Sequence, residues 1–406
     1  MSHEAIPAVV IGAGQAGLAV SYELERAGIE HVILDRARVA QAWRDRWDSF
    51  SLVTPNWTFK LPGAEFAEDD PEGFLLRDEI VGRLDRYARA LSAPIREGIE
   101  VTSLEARPEG GGFSLQTSNG RIEAKDVVLA TGAFQEPFLP PGAEALPAEV
   151  HVIHSADYRS PDALPSGPVL IIGSGQTGCQ IAEELAEDGR HVILSCGRAP
   201  WVPRRIEGRD IITWLGETSF FEQSLDDLPS PAARLLSNPQ ASGRDGGHDL
   251  HFRTLAALGV TLAGRFQGVS DHSAEFAPDL PELLAFSDAR YADVCELIRV
   301  ACAQRGSPIP EFPPAEPFSP QAPDRIDLRG CGTAIFASGF RPAYSSWVRF
   351  ASAFDDLGFP VQTDGASTVV PGLYFMGIHF QRKRKSGIFL GVGEDAAVVA
   401  ERIASA

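Results

Sequence analysis

Two stretches of the chain place glycines where a backbone must come close to a phosphate. Residues 10–35 read VIGAGQAGLAVSYELERAGIEHVILD, and residues 170–195 read LIIGSGQTGCQIAEELAEDGRHVILS. Gly12, Gly14 and Gly17 of the first match Gly173, Gly175 and Gly178 of the second, each 161 positions on. In a G-x-G-x-x-G turn the first glycine permits the sharp exit from a strand. The second lets the backbone approach a pyrophosphate, and the third lets the helix pack on the strand. The helix N-terminus then offers free N–H groups and positive dipole to the anion. The pattern alone is a weak signal, since ordinary glycine turns share it. Here each copy lies between an apolar run suited to a buried parallel strand and a segment of helical spacing, which is the context the motif needs. Both stretches read as βαβ dinucleotide-binding units.

The copies differ at their ends. The first closes on Asp35, the second on Ser195. A carboxylate there can accept bonds from ribose hydroxyls. Its loss, with Arg198, Arg204 and Arg205 close behind, suits a 2′-phosphate. The second unit is therefore expected to take NADPH rather than NADH. The competing reading is that these arginines cap the strand or meet local acids.

The rest of the composition excludes several classes. The chain has 406 residues, 44% hydrophobic and 22% charged, with a net charge of -19. That balance is ordinary for a globular protein. It argues against a nucleic-acid partner and against an anionic membrane surface. No apolar run reaches transmembrane length. The N-terminus has no cationic start or cleavage site, so a cytoplasmic location is expected. The cysteines, Cys179, Cys196, Cys295, Cys302 and Cys331, form no C-x-x-C pair, and reduced thiols are expected.

The elements that must position these residues follow from periodicity. Between the two units lie an aromatic-rich segment at 43–66 and a helical stretch near 77–91. Then come strand-like runs at IEVTSLEAR, FSLQTS and RIEAKDVVLATG, with Asn119-Gly120 marking a hairpin between the last two. After the second unit, residues 281–305 are helical, with Val294, Leu297, Ile298 and Ala301 on one face. Residues 307–323 hold seven prolines and read as an extended linker. GTAIFASGF and GLYFMG read as buried strands, and GEDAAVVAERI as a closing helix.

Two dinucleotide units in one chain suggest a hydride donor and a bound acceptor, and FAD is the acceptor that needs such a fold. At this point the chain resembles the two-dinucleotide flavoproteins. The resemblance implies that the N-terminal unit takes FAD, that the strand ending Ala130-Thr131-Gly132 passes beside it, and that GLYFMG, ending at Gly377, runs to the flavin. The missing cysteine pair sets aside the disulfide reductases. EVHVIHSADYRSP, residues 149–161, resembles the F-x-G-x-x-x-H-S-x-x-Y/W linker of class B flavin monooxygenases. His154, Ser155 and Tyr158 match, while Ala148 and Val150 stand where Phe and Gly are expected. WRDRW…SFSLVTP, residues 43–55, resembles the flavin-lining segment of that family, and FASGF, residues 336–340, its FATGY, departing at Ser338 and Phe340. Many relatives carry Asn after the Thr; here Pro55 intervenes and Asn56 follows.

The resemblance implies flavin contacts from Gln15, Arg36, Trp43, Arg44, Thr54, Val101 and Gly391 besides those above, and a cofactor contact from Gly339. It implies coenzyme contacts from Ser174, Gln176 and Thr177, and chemical or coupling roles for Asn56 and His154. The expected fold is α/β with two Rossmann-like domains. FAD would occupy 1–165 with 326–406, and NADPH 166–325, with an insertion at 206–325. The expected activity is an NADPH-dependent FAD monooxygenase, acting on a small organic substrate with O2 through oxygen added at flavin C4a, with a homodimer as one assembly to expect. An electron-transfer reductase serving a partner protein and a non-catalytic NADPH-binding redox sensor are the alternatives. The basic run Arg382-Lys383-Arg384-Lys385 reads as a solvated loop, as a binder of NADPH phosphate or as a lid over the site.

Overall fold

A computed structural model describes residues 3–66, 70–107 and 110–406. Two sheets organise the chain. The larger has nine strands, and at its centre His3–Ile11 runs parallel between Gly120–Leu129 and His31–Asp35. Leu373–Phe375 adds in parallel to the outer side of Gly120–Leu129. The middle strand is buried on both faces, with Ala8, Val9 and Val10 at 0% exposure, which is why it reads as a continuous apolar run rather than an alternating one. The hairpin forms where Asn119-Gly120 predicts it: Thr117 pairs with Gly120, whose φ is +115°.

The second sheet is five-stranded and wholly parallel. Its order is Thr261–Ala263, Val192–Ser195, Val169–Ile172, Thr333–Phe336, His151–His154. This corrects the sequence boundaries. His151–His154 and Thr333–Phe336 lie outside 166–325, yet both pair here. An apolar run carries no mark of which sheet it will join; long-range register decides it.

Helices Gln15–Arg26 and Gln176–Glu187 follow the two glycine turns. The closing helix, Phe389–Ala404, opens two residues before Gly391 and packs on Gln15–Arg26. Leu280–Arg305 is the long helix read from the 281–305 periodicity, stopped by Gly306 at φ +66°. The proline-rich stretch beyond it has no regular structure before Arg325, but it is tied down. Tyr291 donates its hydroxyl to the Pro313 carbonyl (2.8 Å), and Arg253 donates to that of Glu316 (2.8 Å).

Two short strands join the sheets side by side. Glu136–Pro137 pairs antiparallel with Phe340–Arg341, so the outgoing and returning linkers form one ribbon. No helix among the described residues is long and apolar enough to cross a membrane.

Candidate functional site

The two glycine turns have the same geometry. Gly12 takes φ +112°, and a Cβ there would overlap the Ala130 carbonyl oxygen. Gly173 takes φ +109°, and a Cβ there would press on the Ala337 carbonyl. Gly17 and Gly178 each lie against the carbonyl of the first glycine of their own turn. The middle glycines differ from these. A Cβ on Gly14 would meet nothing within 4 Å, and one on Gly175 only the Ser237 hydroxyl at 3.7 Å. Each middle glycine therefore faces an open cradle. The helix beyond each turn has no side-chain cap, which leaves its first N–H groups bare. A pyrophosphate fits both places.

The symmetry extends to a feature missed in the sequence. Ala337-Ser338-Gly339 stands to the second turn as Ala130-Thr131-Gly132 stands to the first. Gly132 and Gly339 share the left-handed backbone, φ +79° and +86°. The signal was an A-T/S-G triplet closing an apolar strand in each half.

The acid of the first copy is held in place. Asp35 accepts from the Ala13 amide (2.7 Å) and the Ala37 amide (2.8 Å), and a carboxylate has further lone pairs for ribose hydroxyls. Ser195 does different work. Its buried hydroxyl donates to the Gly264 carbonyl (3.0 Å) and accepts from the Phe266 amide (2.9 Å), stitching its strand end to the next strand. The following segment is fixed to the second turn where the Gly197 amide donates to Ser174 Oγ (2.8 Å).

The three arginines separate. Arg198 is exposed, lies over the Phe286 ring at 5.6 Å, and has no carboxylate partner among the described residues. Arg204 is a correction to the phosphate reading. It is 1% exposed, ion-paired with Asp210, and donates to the Val53 carbonyl (2.7 Å) from the other half of the chain. Arg205 is a second correction: its guanidinium donates to the carbonyls of Gly246 (2.7 Å) and Gly247 (2.8 Å). Of the two, Arg204 meets a local acid, Asp210, as the competing reading had it, while Arg205 meets backbone carbonyls and no acid.

Around the first turn, the Trp43 indole donates to Gln15 Oε1 (2.9 Å) and its ring stacks on Phe389 at 5.3 Å. Gln15 in turn reaches the Gly387 carbonyl (3.5 Å). Gln176, its counterpart in the second turn, donates to the Ala241 carbonyl (2.9 Å). Gly377, at φ +77°, sits on Ala16 in the first helical turn. Gly391 lies so close to the Lys385 carbonyl that a Cβ would overlap it. Arg36 is exposed, Thr177 half-buried, and Val101 paired with Thr117 at the hairpin.

Arg44 departs from the flavin-lining expectation. It donates to both Asp85 oxygens (2.7 Å) and to the Val39 carbonyl (3.0 Å), and so braces the helix Arg77–Ala90. Thr54 accepts from the Thr58 hydroxyl (2.9 Å). Asn56 donates its amide to the Asp70 carbonyl (2.9 Å), while its Oδ1 is buried without a partner among the described residues.

The linker motif forms a joint. Tyr158 is buried and donates its hydroxyl to Glu184 (2.8 Å) on the helix after the second turn. His154 accepts from the Ala156 amide through Nδ1 (3.1 Å), which places its proton on Nε2 when the ring is neutral. Nε2 is buried and has no well-formed hydrogen bond among the described residues, with the Gly339 backbone as its neighbouring polar group. Burial holds the imidazole below its usual range, and the nearby Gly339 backbone offsets part of that shift. The ring stands edge-on to Phe340 at 4.8 Å, in the linker ribbon.

The solvated-loop and phosphate-binding readings of the basic run are corrected, because all four side chains are engaged. Lys385 bonds Glu222 and Glu394 (both 2.6 Å), and Lys383 reaches the same two acids. Arg382 meets Asp364 and Asp395 (both 3.3 Å). Arg384 donates to Gln223 (2.8 Å) and Asn238 (2.9 Å). The run fastens the insertion to the start of the closing helix.

All five cysteines are free and buried. Burial pushes the Cys179 thiol up to about 12, far from a reactive thiolate.

A fold with two such turns on two sheets defines a two-dinucleotide oxidoreductase. Residues 9–215 match the model of the pyridine nucleotide-disulphide oxidoreductases, and the chain belongs to that family. It is 31% identical over 393 residues to an uncharacterized CzcO-like oxidoreductase of Geobacillus kaustophilus, covering 96% of both chains. It is 29% identical over 187 residues to indole-3-pyruvate monooxygenase YUCCA1 of Oryza sativa subsp. japonica, covering 45% of each. A flavin-containing monooxygenase from Stenotrophomonas maltophilia has a similar fold, with TM-score 0.68, 21% identity and 99% coverage of both chains.

Proposed function

We propose that the protein is an NADPH-dependent FAD monooxygenase, with FAD on the nine-stranded half and NADPH on the five-stranded half. The observation that carries this is the duplicated cradle. Gly14 and Gly175 face open space at two uncapped helix starts, in halves joined by one paired ribbon. The cysteines favour oxygen over disulfide chemistry, since each of the five is buried and unpaired. The likeness to a flavin-containing monooxygenase in fold and to an indole-3-pyruvate monooxygenase in sequence supports the same reading.

The bound pair would supply hydride transfer from nicotinamide to flavin and then activation of dioxygen, one atom going to a small organic substrate. The chain's own residues bind and orient. The Gly14 and Gly175 turns take the pyrophosphates, Asp35 the flavin-side ribose, and Arg198 the 2′-phosphate. The Trp43–Gln15–Gly387 connection sets the start of the closing helix against the first turn. His154 and Phe340 hold the joint at which the two halves meet, and Nε2–H of His154 would turn from the Gly339 backbone to donate to a bound coenzyme. Closing that joint excludes water from the reacting centre. The test is anaerobic titration: NADPH should bleach the bound flavin, and admitting air should restore it with oxygen uptake. A protein that binds neither cofactor would refute the reading.

A further inference from the structure

The two glycine cradles are alike in backbone and unlike in what stands over them. The space before Gly14 is empty to 4 Å, whereas a Cβ on Gly175 would meet the Ser237 hydroxyl at 3.7 Å. Ser237 does not belong to the glycine unit. It comes from the insertion, far along the chain.

The segment that carries Ser237 is laid across the second turn by bonds from both sides. Gln176, the first residue of the helix after the turn, donates to the Ala241 carbonyl (2.9 Å) and accepts from the Ala241 amide (3.3 Å). The Gln240 side chain donates to the Ser174 carbonyl inside the turn, and its backbone amide to the Pro200 carbonyl (3.0 Å). Asn238 accepts from Arg384 (2.9 Å), and Arg234 pairs with Asp355 of the flavin half. Ser237 is thus held at the cradle by contacts that do not use its own side chain. Its half-buried hydroxyl donates to the carbonyl of the next residue, Asn238 (3.1 Å). A hydroxyl rotates to suit a better acceptor, and a phosphate oxygen accepts more strongly than a neutral carbonyl. The acids of the helix stand in its second half and are engaged: Glu183 with His248, Glu184 with Tyr158, Glu187 with Arg244.

We propose that Ser237 is a coenzyme-binding residue supplied by the insertion. Its hydroxyl turns from the Asn238 carbonyl and donates to an oxygen of the dinucleotide's pyrophosphate at Gly175. This rests on the NADPH reading of the second cradle and deepens it. The pyrophosphate is common to NADPH and NADH, so Ser237 adds affinity without choosing between them. The choice is left to Arg198.

The experiment is calorimetric titration of the oxidised, FAD-loaded protein with NADP⁺ and, separately, with NAD⁺. Ser237→Ala should weaken both about tenfold, a factor equal to about 1.4 kcal/mol and of the size expected for a hydrogen bond to a charged group. Ser237→Thr keeps the hydroxyl and should bind both within about twofold of the parent, whereas Arg198→Ala should weaken NADP⁺ alone. Flavin content and melting temperature of Ser237→Ala should match the parent, because the hydroxyl bonds no more than the adjacent carbonyl among the described residues. Unchanged affinity for both coenzymes in Ser237→Ala, a loss confined to NADP⁺, or an equal loss in Ser237→Thr would overturn the assignment and leave the coenzyme reading in place. A parent protein that binds neither coenzyme would overturn both.

Discussion

Arg384 grips the side-chain oxygen of Gln223 through both Nε (3.1 Å) and Nη2 (2.8 Å), 161 residues apart in sequence. Its backbone amide also donates to the Gln223 carbonyl (2.7 Å). The guanidinium lies over the rings of Phe220 (4.4 Å) and Phe380 (4.9 Å). The insertion is thereby pinned beside the start of the closing helix. Arg384→Ala should free residues 220–238 locally without unfolding the protein. Hydrogen exchange should speed there by at least tenfold, since hydrogen bonds to charged groups contribute about 1.5–3 kcal/mol. Exchange that rises evenly over the whole chain would mean that the contact supports global stability instead.

The middle glycine and the third glycine of the first turn should fail in different ways. Gly14 has an ordinary φ of -85° and open space before it, so Gly14→Val should fold with unchanged circular dichroism but lose bound flavin. Gly17→Val would drive a side chain into the Gly12 carbonyl and should lower the melting temperature. Stoichiometric flavin in Gly14→Val would show that this cradle holds no pyrophosphate.

The arginines of the second unit separate by the same logic. Arg198 is exposed and has no carboxylate partner among the described residues, so Arg198→Ala should weaken NADPH by about 1.5–3 kcal/mol, roughly 10- to 150-fold, and spare NADH. Arg204 is buried with Asp210. Arg204→Met strands that carboxylate and should cost about 3–5 kcal/mol of stability whatever the coenzyme. Kinetics with both coenzymes and thermal denaturation tell the two apart.

Much of this was legible in the sequence, and what was not has a physical cause. Both glycine units, the Asn119-Gly120 hairpin and the long helix after Leu280 are local patterns of spacing and turn chemistry. Arg204 and Arg205 look alike in sequence. Only the fold brings the Val53 carbonyl, 151 residues away, to one of them. The basic run reads as solvated because three of its partners, Glu222, Gln223 and Asn238, lie well over a hundred residues upstream. Sheet membership of His151–His154 depends on pairing with Thr333–Phe336, which no local pattern encodes.

His251 sets a pH dependence. It caps the helix Phe252–Ala257, its Nδ1 accepting from the Thr254 amide (3.3 Å), and burial pushes its pKa down to about 4. The folded state therefore keeps it neutral while the unfolded chain titrates near its ordinary 6.5. The stability it contributes is fully present above about pH 6.5 and falls away as pH drops toward 4, by up to about 3 kcal/mol. His251→Asn retains an N-cap acceptor and cannot take up the proton. Melting temperatures from pH 7.5 to 5 should fall less steeply in the variant than in the parent; parallel curves would count against the assignment.

The most direct measurement is stopped-flow mixing of NADPH-reduced protein with oxygen, with NADP⁺ present. If the joint of His154, Phe340 and Tyr158 closes over both cofactors, a transient absorbing in the near ultraviolet should form before oxidised flavin returns. It should release little hydrogen peroxide when a substrate is supplied, and His154→Ala should shorten its life and raise that release. Return to oxidised flavin in a single phase, with stoichiometric peroxide and no transient under any condition, would contradict oxygen transfer and leave a protein that hands its electrons elsewhere.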